Sequence, residues 1–233
     1  MIPPMDVRRL DLGYFIRPGE ETSTGAPRAE PVLAYAVRLP DGWLLFDTGL
    51  GEGDADVDAH YRPVRRDLRA ALQEAAVRLD EIRLVANCHL HFDHCGGNPL
   101  FPGRPILTQA VELAHARSVD FYTLPHLIDF DNVSYEKLDG EVELSPGVWV
   151  LPTPGHTEGH QSLVVRRADG TVVLAGQAHD TASEYTADHL AARAARNGSA
   201  PPLPVPSPWL ARLEQFDPAR VLFAHDMAVW EPT

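Results

Sequence analysis

Cysteine is scarce: the 233-residue chain holds two, Cys88 and Cys95. Two thiols flanking a histidine cluster are no disulfide framework, so the chain is expected in a reducing compartment. They read as small buried thiols, with thiolate ligation of a metal as the alternative. Long apolar runs are missing too. Nothing approaches the roughly 18 consecutive apolar residues of a membrane span. The N-terminal MIPPMDVRRLDLGYF carries prolines and charges where a secretory leader needs an apolar core. The expected location is the cytoplasm, with no membrane partner. Positive charge is in deficit: 20 Lys and Arg against 33 Asp and Glu leave a net charge of −13. Such a surface repels phosphate backbones, so no nucleic-acid partner is expected.

What is present is an ordinary globular composition, 44% hydrophobic, with no internal repeat. Val32–Leu39 and Trp43–Asp47 read as strands, joined by a hairpin at Pro40-Asp41-Gly42. Leu68, Leu72, Ala75, Ala76 and Leu79 recur at helical spacing and predict an amphipathic helix over Val64–Leu79. Ile82–Asn87 and Pro105–Thr108 are short strands, Gln109–Ser118 is a helix, and Phe121–Asn132 is irregular. Tyr135–Leu138, Glu141–Leu144 and Val148–Leu151 alternate with Asp-Gly and Pro-Gly turns, which predicts a β-meander. Ser162–Arg166 and Thr171–Ala175 form a second hairpin. Helices are predicted at Ala187–Arg196 and Trp209–Gln215, and a last strand at Arg220–Ala224. The proline-rich Asn197–Pro208 between them excludes regular structure. The residues after it are too few for a core of their own, so residues 1–233 are expected to form one domain. Hairpins interleaved with helices favour an α/β (α+β) fold of sheets covered by helices.

The densest chemical signal is His89-Leu90-His91-Phe92-Asp93-His94, a loop after a strand. Three imidazoles and a carboxylate in six residues suit a borderline cation such as zinc. In extended backbone His89 and His91 project to one side, while Asp93 and His94 turn elsewhere, a geometry that suits two adjacent metals better than one. Three further polar corners follow strands: His156 in TPGHT, the stretch LAGQAHD with Gln177, His179 and Asp180, and His225-Asp226. Ligands gathered from several strand ends are how a rigid fold presents a metal. His60, His115, His126 and His189 read as ordinary surface or core residues.

Together HLHFDHCGG, TPGHTEGHQS, VVLAGQA and VLFAHD resemble the metallo-β-lactamase superfamily, from about Val32 to the C-terminus. The HxHxDH motif is highly specific for that superfamily. Within it LLFDTGL, FPGRPILTQAVELAHA and the long TPGHTEGHQSL segment look most like the N-acyl-homoserine lactonases. The resemblance implies a four-layer αββα sandwich with a two-metal site. It implies that His89, His91 and His156 hold one metal and that Asp93, His94 and His225 hold the other. A carboxylate after the Thr171–Ala175 strand would bridge them, and a hydroxide between the metals would open a lactone or related ester. Zinc is the expected metal, two ions per chain, with iron, manganese or cobalt as alternatives. Asp93 would carry a proton to the leaving alkoxide. Asp47 would orient a ligand histidine or simply form its Asp-Thr-Gly turn. His160 would brace the Pro154–His160 loop, and Phe92 would pack on an acyl chain or in the core.

Two positions depart from the family pattern. The bridging carboxylate is replaced by Gln177, a neutral amide that bridges two cations poorly. Either Gln177 ligates one metal through its oxygen, or Asp180 swings in, or one metal site is weak. The lactonases' carbonyl-polarising tyrosine falls at Asp180, with Tyr185 as a substitute further along. The expected activity is therefore a metallo-hydrolase opening a lactone, with N-acyl-homoserine lactones first among the small-molecule substrates. Hydrolysis of a thioester, β-lactam or phosphodiester, or a catalytically weak metal-binding role, are the alternatives. A homodimer is left open.

Overall fold

In a computed structural model, which describes residues 6–22, 24–199 and 204–232, the period-2 alternation of the strands sorts their side chains onto two packed sheets. In chain order the elements of the first half are β1 (Val7–Arg17), β2 (Arg28–Leu39), β3 (Gly42–Phe46), α1 (Ala55–Tyr61), β4 (Val64–Arg65), α2 (Leu68–Glu74), β5 (Ile82–Ala86), β6 (Pro105–Gln109), α3 (Ala110–Ser118), α4 (Pro125–Ile128) and β7 (Ser134–Leu138). They build a seven-stranded sheet in the order β4-β1-β2-β3-β5-β6-β7. The second half supplies β8 (Val142–Ser145), β9 (Val148–Pro152), β10 (Gln161–Arg167), β11 (Gly170–Leu174), α5 (Ala182–Arg196), α6 (Leu210–Glu214), β12 (Pro218–Leu222) and β13 (Val229–Trp230). Its six-stranded sheet runs β13-β12-β11-β10-β9-β8.

On β2, Leu33, Tyr35, Val37 and Leu39 point inward and meet Val150, Leu163, Val165, Val172 and Leu174 of the other sheet. The alternate residues Val32, Ala34 and Ala36 point outward, onto Leu68, Ala71 and Leu72 of α2. On β11 the pattern repeats: Val173 turns away from the inter-sheet core toward Tyr185 of α5 and Leu210 and Leu213 of α6. One apolar face per helix and two per sheet give the four layers helix, sheet, sheet, helix, as the resemblance implied. Each fully buried Leu, Val or Phe contributes about 1.5–3 kcal/mol.

At one edge the sheets are stitched directly. Leu33 N donates to Ala224 O (2.9 Å), Gln161 N donates to Cys88 O (2.8 Å), and Tyr35 donates its hydroxyl to Phe223 O (2.7 Å). The C-terminal ends of β3, β5, β9, β11 and β12 all open toward this edge, and the chemical residues follow them.

Some expected elements move. The helix over Val64–Leu79 splits: Val64 pairs with Tyr14 of β1, and α2 starts only after Asp67, whose carboxylate accepts from Ala70 N (2.8 Å). The β-meander is also broken, because Ser134–Leu138 pairs parallel with β6 in the first sheet while β8 and β9 belong to the second. Helix α5 begins at Ala182, earlier than the periodicity indicated, with Thr181 capping it by accepting from Glu184 N (3.2 Å). Strand β1 and helix α1 were not anticipated. Part of the proline-rich Asn197–Pro208 segment lies outside the described residues. Among the described residues no helix is long and apolar enough to cross a membrane.

Candidate metal centre

The loop after β5 carries His89, His91, Phe92, Asp93 and His94 into the edge where the sheets meet. His156 arrives on the turn after β9, and His225 just beyond β12. These six donors form two groups. In the first, His89 Nε2 and His91 Nδ1 lie 3.0 Å apart, and His156 Nε2 lies 3.2 Å from His91 Nδ1. In the other, His94 Nε2 and His225 Nε2 lie 3.1 Å apart, each 3.3 Å from Asp93 Oδ2. The groups abut, with the His89 and His94 rings 4.0 Å apart between centroids.

This donor set fits a pair of divalent cations. Donor atoms around a tetrahedral zinc with Zn–N bonds of about 2.0–2.1 Å stand roughly 3.3 Å apart, close to the spacings here. Imidazole ligands must also be neutral. Burial, reinforced by neighbouring histidines, holds His89 well below its ordinary pKa, and burial pushes His91 down to about 4. Asp93 is ionised: burial opposes its charge, but His94 and His225 outweigh burial and hold it below the usual carboxylate range. His94 differs. Burial lowers its pKa, yet Cys88, Asp93 and Asp47 together raise it above the ordinary value.

The supports explain the arrangement. Asp47 is buried and takes a left-handed φ of 65°, an uncommon conformation for a non-glycine residue. From it Oδ2 lies 3.0 Å from His94 Nδ1, and Oδ1 accepts from Cys88 N (2.8 Å). His225 Nδ1 donates to Pro31 O (2.8 Å), so Nε2 is the nitrogen turned toward His94 and Asp93. Cys88 and Cys95 are free and buried, and burial raises both thiols, Cys95 to about 12. Cys88 Sγ sits 3.1 Å from His89 Nδ1 and 3.2 Å from His94 Nδ1, behind both rings.

Gln177 follows β11 through Gly176, which has φ +59° and leaves no room for a side chain: an added Cβ would lie 2.5 Å from Cys88 Cβ. The Gln177 side chain is buried and lines the same cavity as His91, Asp93 and His156. Asp180 does not swing in: its carboxylate accepts from Gln177 Nε2 (3.0 Å) and from Arg28 Nη2 (2.9 Å). His179 is turned away and contacts Asp188 (3.0 Å). Tyr185 is no substitute for the missing tyrosine, because it is buried in the helix-facing core against Trp230 and Phe223. Tyrosines do line the cavity from elsewhere: Tyr61 of α1 stacks on Phe92 (4.9 Å), and Tyr122 lies against His91 (4.7 Å). Phe92 is thus both nearly buried and part of the wall. The cavity holds about 710 Å³, and Phe15 and Leu124 add to its apolar wall.

Two contributors, Glu112 and Arg17, carry no motif in the sequence. Glu112 of α3 is fully buried; Oε1 accepts from Leu90 N (2.8 Å) and the Tyr122 hydroxyl (2.6 Å), and Oε2 accepts from the Thr157 hydroxyl (2.7 Å). It ties both loops of the three-histidine group to one helix. Its only sequence signal was an acid on the apolar face of a helix. Arg17, at the end of β1, lines the cavity and is held by Glu30 (2.7 Å). His160 braces its loop as expected, with Nδ1 near Thr153 O (3.1 Å), and also accepts from Gln177 N (3.0 Å). His60, His115, His126 and His189 lie outside both groups; His60, for example, contacts Glu21 (3.1 Å).

The family model described as metallo-beta-lactamase superfamily matches residues 27–225. The N-acyl homoserine lactonase of Bacillus thuringiensis is 31% identical over 172 residues, an alignment that spans 66% of this chain and 66% of that protein. A solved N-acyl homoserine lactone hydrolase, with its product N-hexanoyl-L-homoserine at the catalytic metal centre, superposes with a TM-score of 0.77. It is 23% identical, and the match covers 97% of this chain and 95% of the other. A dizinc quorum-quenching lactonase, also with N-hexanoyl-L-homoserine product, gives a TM-score of 0.64 at 16% identity, covering 95% and 87% of the two chains.

Proposed function

Since the chain belongs to the metallo-beta-lactamase superfamily, we propose that it is a metal-dependent hydrolase that opens a lactone or related ester, with N-acyl-homoserine lactones as the first substrates to test. The observation that carries this reading is the pair of abutting donor groups, His89/His91/His156 and Asp93/His94/His225, at a cavity with apolar walls. Zinc is the proposed metal, supported by the imidazole-rich donors and by the dizinc relative. Residues 1–233 are read as one hydrolase domain.

When bound, divalent cations make water nucleophilic near neutral pH and draw electrons from a carbonyl oxygen. The chain's own groups do the rest. Asp47 orients the His94 ring through Nδ1, and the Pro31 carbonyl does the same for His225. Asp93 Oδ2 faces His94 and His225, while Oδ1 has no hydrogen-bond partner among the described residues. In this reading Asp93 Oδ1 carries a proton to the leaving oxygen. Phe15, Tyr61 and Phe92 form the wall for an acyl chain. Arg17, anchored through Nε, keeps its remaining guanidinium donors for a substrate oxygen.

Purified protein reconstituted with Zn²⁺ should hydrolyse members of an N-acyl-homoserine lactone and simple-lactone panel. His91→Ala should abolish that hydrolysis. Turnover unchanged by this substitution, or no turnover on any lactone or ester by protein containing two zinc ions, would overturn the assignment.

A further inference from the structure

The neutral residue at the bridging corner is part of a longer chain of contacts. Gln177 Nε2 donates to Asp180 Oδ1 (3.0 Å). Asp180 Oδ2 pairs with Arg28 Nη2 (2.9 Å), Arg28 pairs with Glu30 Oε1 (2.6 Å), and Glu30 Oε1 accepts from Arg17 Nε (2.7 Å). Glu30 is 1% exposed and Gln177 2%. Both ends of the ladder, Gln177 and Arg17, line the cavity. Two guanidinium groups face two carboxylates, so the ladder is internally neutral. From the backbone side, Gln177 N is fixed by His160 Nε2 (3.0 Å), and Asp180 N donates to Glu184 Oε2 (2.9 Å).

An amide has two faces, and its neighbours decide which one the cavity meets. A carboxylate paired with arginine only accepts hydrogen bonds. Turning the Gln177 oxygen toward Asp180 would set two acceptors against each other, so the NH₂ end faces Asp180. The carbonyl oxygen is the remaining end, and no donor among the described residues occupies it. Donation to an anion also polarises the amide and leaves its oxygen more negative.

We propose that Asp180 is a positioning residue which fixes the Gln177 amide with its oxygen toward the metal centre and, by accepting from its NH₂, polarises that oxygen. This rests on the reading of Gln177 as a metal ligand. Arg28 holds Asp180 in that place, and through Glu30 the same ladder presents Arg17 to the cavity. The corner keeps an oriented amide oxygen in place of a bridging carboxylate.

The test is Zn²⁺ affinity, measured by competition with a chromophoric chelator on the full chain, with bound zinc counted by elemental analysis. Asp180→Ala should weaken the more loosely held zinc about 10- to 100-fold, the range for groups that orient ligands. Asp180→Asn, which keeps the shape and one acceptor, should weaken it by less and guards against a misfolded alanine variant. In a Gln177→Ala background the Asp180→Ala effect should vanish, because its target is gone. A merely structural Asp180 would act equally in both backgrounds, and that result overturns the proposal. So does unchanged affinity in both Asp180 variants while Gln177→Ala weakens binding. If Gln177→Ala itself leaves zinc affinity unchanged, the ligand reading fails and takes the proposal with it.

Discussion

The two donor groups are built on different principles. His89, His91 and His156 are three neutral imidazoles shared between two loops, and His156 stands at the solvent edge. Their order comes from beneath, through Glu112. Asp93, His94 and His225 are all buried, and they form a charged network in which Asp47 and Asp93 face His94. The first group can accept a cation without moving charge. The second sets carboxylates beside its imidazoles, and its occupancy depends more on them. A missing bridging carboxylate therefore weighs most on the second group.

The largest expected effect lies there. Asp93→Asn should lower kcat for lactone hydrolysis by about 10²–10⁴, the range for a lost proton-transfer group. Initial rates at saturating substrate measure it, and a loss confined to KM would contradict the role given to Asp93. Next in size, Asp47→Asn should weaken zinc binding to the second group about 10- to 100-fold and leave the three-histidine group intact. Zinc counted per chain at limiting metal reads this directly, with one tight ion retained.

Acid should separate the groups in metal-free protein. The folded pKa of His91 is about 4 against an ordinary 6.5, so the unfolded chain binds more protons between those values. Stability is then lost as pH falls from about 6.5 toward 4. His94 has the opposite sign: its raised pKa adds stability below about 6.5, which is lost as pH rises through the folded value. Thermal unfolding from pH 7 to 4 should show a net fall in wild type. The fall should be shallower in His91→Ala and steeper in His94→Ala. The smallest effect is at the wall. Phe92→Ala should raise KM for long-chain substrates by roughly tenfold with less change in kcat, and short-chain substrates should be less affected.

Local signals were the legible ones. HLHFDH announced itself because five of the site's residues lie within one loop, and the hairpin at Pro40–Gly42 carries its own turn chemistry. His156, Gln177 and His225 could be tied to that loop through the family resemblance, and the structure brings them to the same edge. The failures were long-range. The apolar spacing of Val64–Leu79 was real, but Asp67 caps a new helix inside it and Val64 is claimed by β1. Ser134–Leu138 looked like the first strand of a meander, and nothing local says that it pairs with β6. Glu112 and Arg17 carry no motif. Each earns its place only when α3 and β1 are laid against loops many residues away.

Glu112 has a mechanical consequence. One carboxylate on α3 grips the backbone of the His89–His91 loop, the hydroxyl beside His156, and Tyr122 in the segment that forms a cavity wall. Three loops that could each move on their own are coupled through one side chain. Substrate that pushes on the Tyr122 wall pushes on the three-histidine group as well. Any attempt to reshape this wall by directed evolution must therefore either keep Tyr122 in Glu112's grip or retune the metal centre along with it.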